Sequence, residues 1–303
     1  MKYRDWLQEW LGYYAKPSVK AKTYEKYARQ VRRYLAPRLG GYELEELTPL
    51  RLQKFAVSLT DGGLSANTAN GIITVLQSSL RAAVNAGKAE REHGKSVVRP
   101  KIREKQVECF SKAEQKKLEG HILHGKNTKL FGIVVALYTG LRIGELLALR
   151  WEDVDLGKGL LTVRKTCYDG WRGGKYVKIT DMPKTENSVR AIPLPRQLLP
   201  YIKEMKRRSG GLYMVPGNTE YGAEIRCYQR TFGALLKKLG IPHKGFHALR
   251  HTFATRAIEV GMDVKTLSEI LGHKNPSVTL KRYAHSLLEH KAEMMNKSGK
   301  LHI

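Results

Sequence analysis

One stretch, 158–195, breaks the helical period that runs through most of this chain, and it bounds the fold more tightly than any other feature. "GLLTVRKT", "KYVKITDM" and "SVRAIPL" read as short strands joined by Gly-rich or polar turns. On both sides apolar residues return at three- and four-residue spacing, the period of a helix with one buried face. Trp6, Trp10 and Tyr14, with Leu7 and Leu11 beside them, make a first stripe; Tyr24, Tyr27, Val31 and Leu35 make a second, ending at Pro37. In "TPLRLQKFAVSLTDGG", Thr48 is placed to cap a helix, Pro49 to start it and Gly62 to stop it. A fourth helix buries Ile72, Leu76, Leu80 and Ala83 and ends at Gly87.

The segment 88–105 is polar and basic, holds one Gly and one Pro, and reads as a linker. Beyond it, Ser111 and Glu114 match a capping box. The expected organisation is a four-helix bundle over 1–87, the linker, and an α+β domain over 106–303, mainly helical with a small antiparallel sheet inserted. A terminal helix is expected at 286–298. A chain of 303 residues has room for two such cores.

Charge narrows the partner. Lys and Arg number 54 against 28 Asp and Glu, for a formal net charge of +26. Residues 1–100 carry 17 basic and 9 acidic side chains, so the excess is not confined to one tail. A bias of this size, spread over both halves, is the electrostatic footprint of a nucleic-acid binder. The three cysteines are far apart and form no CxxC, which points to neither a zinc site nor a disulfide framework and fits a reducing cytosol. No apolar run reaches membrane-spanning length, and the first ten residues lack the apolar core of a signal peptide.

Four stretches carry candidate chemistry. In "YTGLRIGELLALRW", Arg142 and Glu145 follow Gly140 at an apparent helix start, where free N–H groups suit an anion. Arg142 adds a two-pronged donor for phosphate oxygens. Glu145 would hold a neighbouring basic side chain, and the two are equally readable as a surface ion pair. Lys184, in "MPKTENSVRAIPL", lies in a polar turn between two expected strands, from which a lysine reaches into a site to deliver a proton; its default role is solvated surface. "FHALRHTFAT" sets His247, Arg250 and His251 at helical spacing, with Leu249, Phe253 and Ala254 directed to the core and His251 read as structural. In "LGHKNPSVTLKRYAH", His273 follows Gly272 in a turn, Asn275 and Pro276 start a further helix, and Tyr283 lies on it.

Together "TGLRIGELLALRW", "PKTENSVRAIPL", "HALRHTFAT" and "LGHKNPSVTLKRYAH" resemble the tyrosine recombinase family, the phage-type integrases, in residue type, order and spacing. The likeness covers the second domain nearly end to end, and the bundle of 1–87 resembles the SAM-like core-binding domain of that family. The resemblance implies an Arg–Lys–His–Arg–His–Tyr site, carried here by Arg142, Lys184, His247, Arg250, His273 and Tyr283. It implies strand exchange through a 3′-phosphotyrosyl link, with no metal or nucleotide cofactor. Tyr283 would be the nucleophile, His247 would take or hold its proton, and Lys184 would protonate the leaving 5′-oxygen. The two arginines would clamp the non-bridging oxygens, and His273 would add a donor.

The implied partner is double-stranded DNA carrying att-type core sites, with Lys22 and Asn67 as expected groove contacts on helices beginning near Ser18 and Ser65. A homotetramer on DNA, joined through the apolar stripe Leu287, Leu288, Met294 and Met295, is expected, as are accessory DNA-bending or excision-directionality proteins. The alternatives are a Xer-like dimer resolvase, a non-catalytic DNA-binding relative, and a metal-dependent nuclease. The last would need clustered carboxylates, and the acidic residues here are scattered.

Overall fold

The computed structural model describes residues 1–102, 107–125, 127–172, 175–181, 189–217, 222–273, 275, 277 and 295–296. Two compact units divide the chain, Met1–Lys105 and Gln106–Ile303.

The first unit is helical. Helix α1 (Tyr3–Glu9) runs through a π-turn (Trp10–Ala15) into α2 (Lys16–Ser18). Helix α3 (Ala21–Gln30) likewise runs through a π-turn (Val31–Leu35) into α4 (Ala36–Leu39). Helices α5 (Pro49–Asp61) and α6 (Ala66–Asn85) complete the bundle. Thr48 and Ser65 cap α5 and α6, each accepting a backbone N–H with its hydroxyl, as N-caps do. The first stripe turns inward: Trp6, Leu7 and Trp10 are buried with Leu35, Leu52, Leu59, Ile72 and Leu76. Ser79 on α6 satisfies the polar atoms that this packing buries. Its carbonyl accepts the Trp6 indole N–H at 2.8 Å, and its hydroxyl meets Tyr3 Oη at 2.7 Å. Tyr14 stays 42% exposed and lies over Trp6, with ring centroids 5.5 Å apart.

The polarity of 88–105 conceals how much of it is anchored. Val97 is buried in the bundle core after a 3₁₀ turn (His93–Ser96). Gln53 accepts the Val98 N–H at 2.8 Å, and Asn70 donates to the Pro100 carbonyl at 2.9 Å. The first unit therefore holds this segment at least to Pro100.

In the second unit, α7 (Lys112–Leu123) opens on the expected capping box between Ser111 and Glu114. Helix α8 (Thr128–Thr139) is buried nearly all round and packs on α7, α9 (Ile143–Ala148), α10 (Leu199–Arg208) and α12 (His247–Glu259). Helices α11 (Ile225–Lys238) and α13 (Val264–Leu271) also belong to this unit.

The region of changed period holds two small antiparallel sheets. Strands β1 (Val154–Asp155), β2 (Leu160–Val163) and β5 (Arg190–Pro193) form one, with Leu161 paired to Ile192 and both buried. Strands β3 (Thr166–Arg172) and β4 (Lys175–Asp181) form a separate hairpin. Strand β3 is not among the three read from the pattern, because Asp169 and Gly170 interrupt its alternation. Asp169 serves a distant helix instead. Its carboxylate accepts the N–H groups of Ile225 and Arg226 at 3.3 and 3.2 Å, capping α11. Strands β4 and β5, the elements on either side of Lys184 in sequence, belong to different sheets.

Close backbone packing ties the β3–β4 hairpin to α9. A Cβ on Gly144 would press on the Cys167 carbonyl oxygen and lie 2.8 Å from Thr166 Oγ1. Gly144→Ala should therefore cost about 1–3 kcal/mol, the usual penalty for overpacking. Urea unfolding measures it, and an unchanged midpoint would mean that the hairpin does not seat on α9 this closely.

Candidate active site

Three glycines bring separate helices to one point. Helix α8 ends at Gly140 with φ 64°, the left-handed cap that favours glycine. A Cβ there would lie 2.6 Å from Phe253 and 2.7 Å from Leu271, so the turn presses on α12 and α13. Helix α13 ends the same way at Gly272, φ 65°, where a Cβ would come within 2.9 Å of the Arg190 guanidinium. Gly144 seats α9 on the hairpin, as described above.

Arg142 and Arg250 meet at the end of α13. Arg250 is 2% exposed; its Nη1 donates to the Gly140 carbonyl and its Nη2 to the Leu271 carbonyl, both at 2.8 Å. Arg142 Nη1 donates to the same Leu271 oxygen at 3.3 Å, and its Nη2 to the Gly272 oxygen at 3.4 Å. The two guanidinium groups, 108 residues apart in sequence, are therefore neighbours. His273 joins them, with Nε2 2.8 Å from Arg250 Nη2. A guanidinium can only donate, so this contact fits an imidazole whose Nε2 carries no proton.

Glu145 holds Arg142 in place. It is buried and accepts the Arg142 backbone N–H at 3.0 Å and Arg142 Nη1 at 2.8 Å. The start of α9 is thus capped by its own carboxylate, and the free N–H groups expected there for an anion are in part already taken. The second partner of Glu145 is Arg190, which lies in the stretch that carries Lys184 but is not among the candidate site residues; its Nη2 lies 2.9 Å from Oε2 and its Nε donates to the Ile270 carbonyl at 2.6 Å. The signal was present: Arg190 and Ile192 share a face of β5, and Ile192 is buried, so strand parity directs Arg190 inward. Burial alone would raise the Glu145 carboxyl above its ordinary 4.5. The hydrogen bonds and charges of Arg190, then Arg142, outweigh burial and hold it at about 2.

The far end of α9 is held by Lys178 on β4, which donates to the Leu147 carbonyl at 2.6 Å and lies over the Tyr213 ring. A cation suits a helix C-terminus, and desolvation lowers the pKa of this half-buried amine. His247 opens α12 one turn before Arg250; it is exposed, and its ring meets His251 edge-on at 4.6 Å. Leu249 and Ala254 are buried as expected. Asn275 accepts the Ser277 N–H at 2.8 Å, as a helix-starting residue does. Lys184, Tyr283 and the expected terminal helix, apart from residues 295–296, lie outside the described residues.

In the first unit, Asn67 lines a concave groove of about 330 Å³ together with Lys26, Arg29 and Arg33. Lys22 is exposed on the first turn of α3 and does not line it. Among the described residues, no three His, Cys, Asp or Glu side chains are placed to hold a metal ion, and no helix is long and apolar enough to cross a membrane.

A helical SAM-like unit, followed by a mainly helical unit with small antiparallel sheets, is the tyrosine recombinase fold. The chain belongs to the phage integrase family, whose model matches residues 101–290; the N-terminal SAM-like domain of phage integrases matches residues 2–59. It is 32% identical to a tyrosine recombinase XerC-like protein of Caldanaerobacter subterraneus subsp. tengcongensis, over 99% of this chain and 83% of that one. It is 27% identical to the ICEBs1 integrase of Bacillus subtilis, over 84% of this chain and 71% of that one. Among solved structures, the Tn1549 transposon integrase in complex with a circular intermediate DNA matches with a TM-score of 0.82 at 25% identity, covering 98% of this chain and 99% of that one.

The Glu145 carboxyl makes stability depend on acid. Its folded pKa is depressed from 4.5 to about 2, so its contribution is complete above the unfolded value and is lost as pH falls toward 2. Urea unfolding of the wild type should weaken between about pH 5 and pH 3, and Glu145→Gln should lose about 2–3 kcal/mol at neutral pH while weakening less with acid. Parallel pH profiles would show that this carboxylate is not the group responsible.

Proposed function

We propose that the chain is a site-specific DNA recombinase of the integrase type that cleaves and rejoins DNA through a 3′-phosphotyrosyl intermediate. The observation that carries this reading is the shared carbonyl. Arg142 and Arg250 both donate to Leu271 O, with His273 alongside, which gathers donors suited to the non-bridging oxygens of one phosphate.

In the proposed reaction, Tyr283 Oη attacks the scissile phosphorus. The bond to the 5′-oxygen breaks, and Lys184 gives that oxygen its proton. The tyrosine proton passes to His247. The 5′-hydroxyl of the partner strand then attacks the phosphotyrosyl link and releases the tyrosine. Two easier steps replace one hard exchange. The phosphoester is conserved throughout, so no nucleotide is consumed. Positive charge at the site counters the poor nucleophilicity of a phenol, whose pKa is about 10.

The DNA complex of the Tn1549 integrase supports duplex DNA as the partner. Lys22 and Asn67 are proposed DNA contacts, the second within the basic groove of the first unit. Assembly as a homotetramer on DNA through 286–298, help from DNA-bending or directionality proteins, and a cytoplasmic location belong to the same reading. The XerC-like relative favours a second one, resolution of chromosome or plasmid dimers. Sequencing the junctions of recombined plasmids separates the two.

A nicked suicide duplex tests the chemistry. The wild type should leave an SDS-resistant protein–DNA adduct, and Tyr283→Phe should leave none while binding duplex within about twofold, since only a hydroxyl is lost. An adduct on Tyr283→Phe would refute the assignment. A wild type that binds DNA without forming an adduct would instead indicate a non-catalytic relative. Arg250→Lys keeps the charge but loses the planar fork, so cleavage should slow by about 10²–10³. Wild-type rates in that variant would remove Arg250 from the clamp. With +26 net charge, duplex affinity should fall steeply with added salt, and a flat titration would contradict an electrostatic footprint.

A further inference from the structure

The Glu145 carboxylate poses a problem for phosphate binding. Arg142 and Glu145 alone form a neutral pair, joined at 2.8 Å. A phosphate anion would have to compete with that carboxylate for the guanidinium. Arg190 changes the balance. It meets both carboxylate oxygens, Oε2 at 2.9 Å and Oε1 at 3.3 Å, and raises the group of three from neutral to a net charge of +1.

The two arginines hold unequal positions. The Arg190 side chain is 7% exposed, and that of Arg142 is 41% exposed. Arg190 is tethered by its Nε to the Ile270 carbonyl and packs against Gly272, where a Cβ would come within 2.9 Å of Nη1. It is therefore fixed and turned away from solvent, while Arg142 presents an open side. Arg190 also joins β5, α9 and the end of α13, the elements that carry or flank Arg142 and His273.

We propose that Arg190 is a positioning residue that satisfies the charge of Glu145, leaving Arg142 with net positive charge for the scissile phosphate. Buried behind the carboxylate, Arg190 acts through Arg142 and touches no DNA. The inference rests on the recombinase reading above.

A purely structural role and a charge-balancing role differ in what a second substitution does. If Arg190 only holds the fold, losing Glu145 as well adds damage. If it balances charge, neutralising Glu145 in an Arg190→Gln background frees Arg142 again and restores rate. The assay is the rate of adduct formation on a nicked duplex carrying the chain's own recombination site, taken from a sequenced junction. Duplex affinity and thermal unfolding are measured beside it.

Arg190→Gln should slow adduct formation by about 10- to 100-fold, less than loss of a direct phosphate donor, with duplex affinity within about twofold. The double variant Glu145→Gln/Arg190→Gln should exceed Arg190→Gln by about fivefold or more. Arg190→Lys, which keeps the charge, should fall between wild type and Arg190→Gln. A wild-type rate in Arg190→Gln, or a double variant no faster than the single one, overturns the proposal. If Arg190→Gln does not unfold cooperatively, Arg190→Lys and the double variant carry the test: both should form adduct, and absence of adduct from both overturns it. A wild type that forms no adduct overturns the recombinase reading, and this inference with it.

Discussion

The centre of the second unit depends on one backbone oxygen. Leu271 O, at the end of α13, accepts from Arg250 and Arg142 together and so brings two distant guanidinium groups into contact range. Two like charges repel at such separations, and in a buried setting the repulsion is strong. Main-chain carbonyls at the ends of α8 and α13 offset it, because a helix C-terminus presents unpaired carbonyl dipoles. The left-handed glycines at 140 and 272 make both ends available.

The remaining compensation comes from Glu145. A single buried carboxylate serves as helix cap, ion-pair partner and charge balance at once. Against burial, the hydrogen bonds and charges of Arg190 and Arg142 hold its pKa well below the ordinary carboxylate range. Removing a buried partner from such a network costs more than the network gains over apolar packing. On the reading proposed above, the arrangement serves the field it makes around an anion, with stability a secondary effect.

Much of this was legible in the sequence. The capping residues Thr48, Ser65 and Ser111 lie at their helix starts because a side-chain oxygen one turn before an apolar stripe has few other uses. Arg142, Arg250 and His273 could be singled out by motif and are brought together by tertiary contacts that no local pattern reveals. Where local pattern and tertiary role diverge, the pattern misleads. Strand β3 carries an aspartate that caps a helix far away in sequence. The polar segment 88–105 hides one buried valine, Val97. Arg190 looks like one more basic residue until strand parity places it opposite solvent.

The most direct test of the account is a structure of the protein on its duplex, read at the scissile phosphate. Arg142 and Arg250 should both donate to non-bridging oxygens of the same phosphate, at about 3 Å, with Glu145 still paired to Arg190. A phosphate held by one arginine alone, or one lying away from the end of α13, would contradict it.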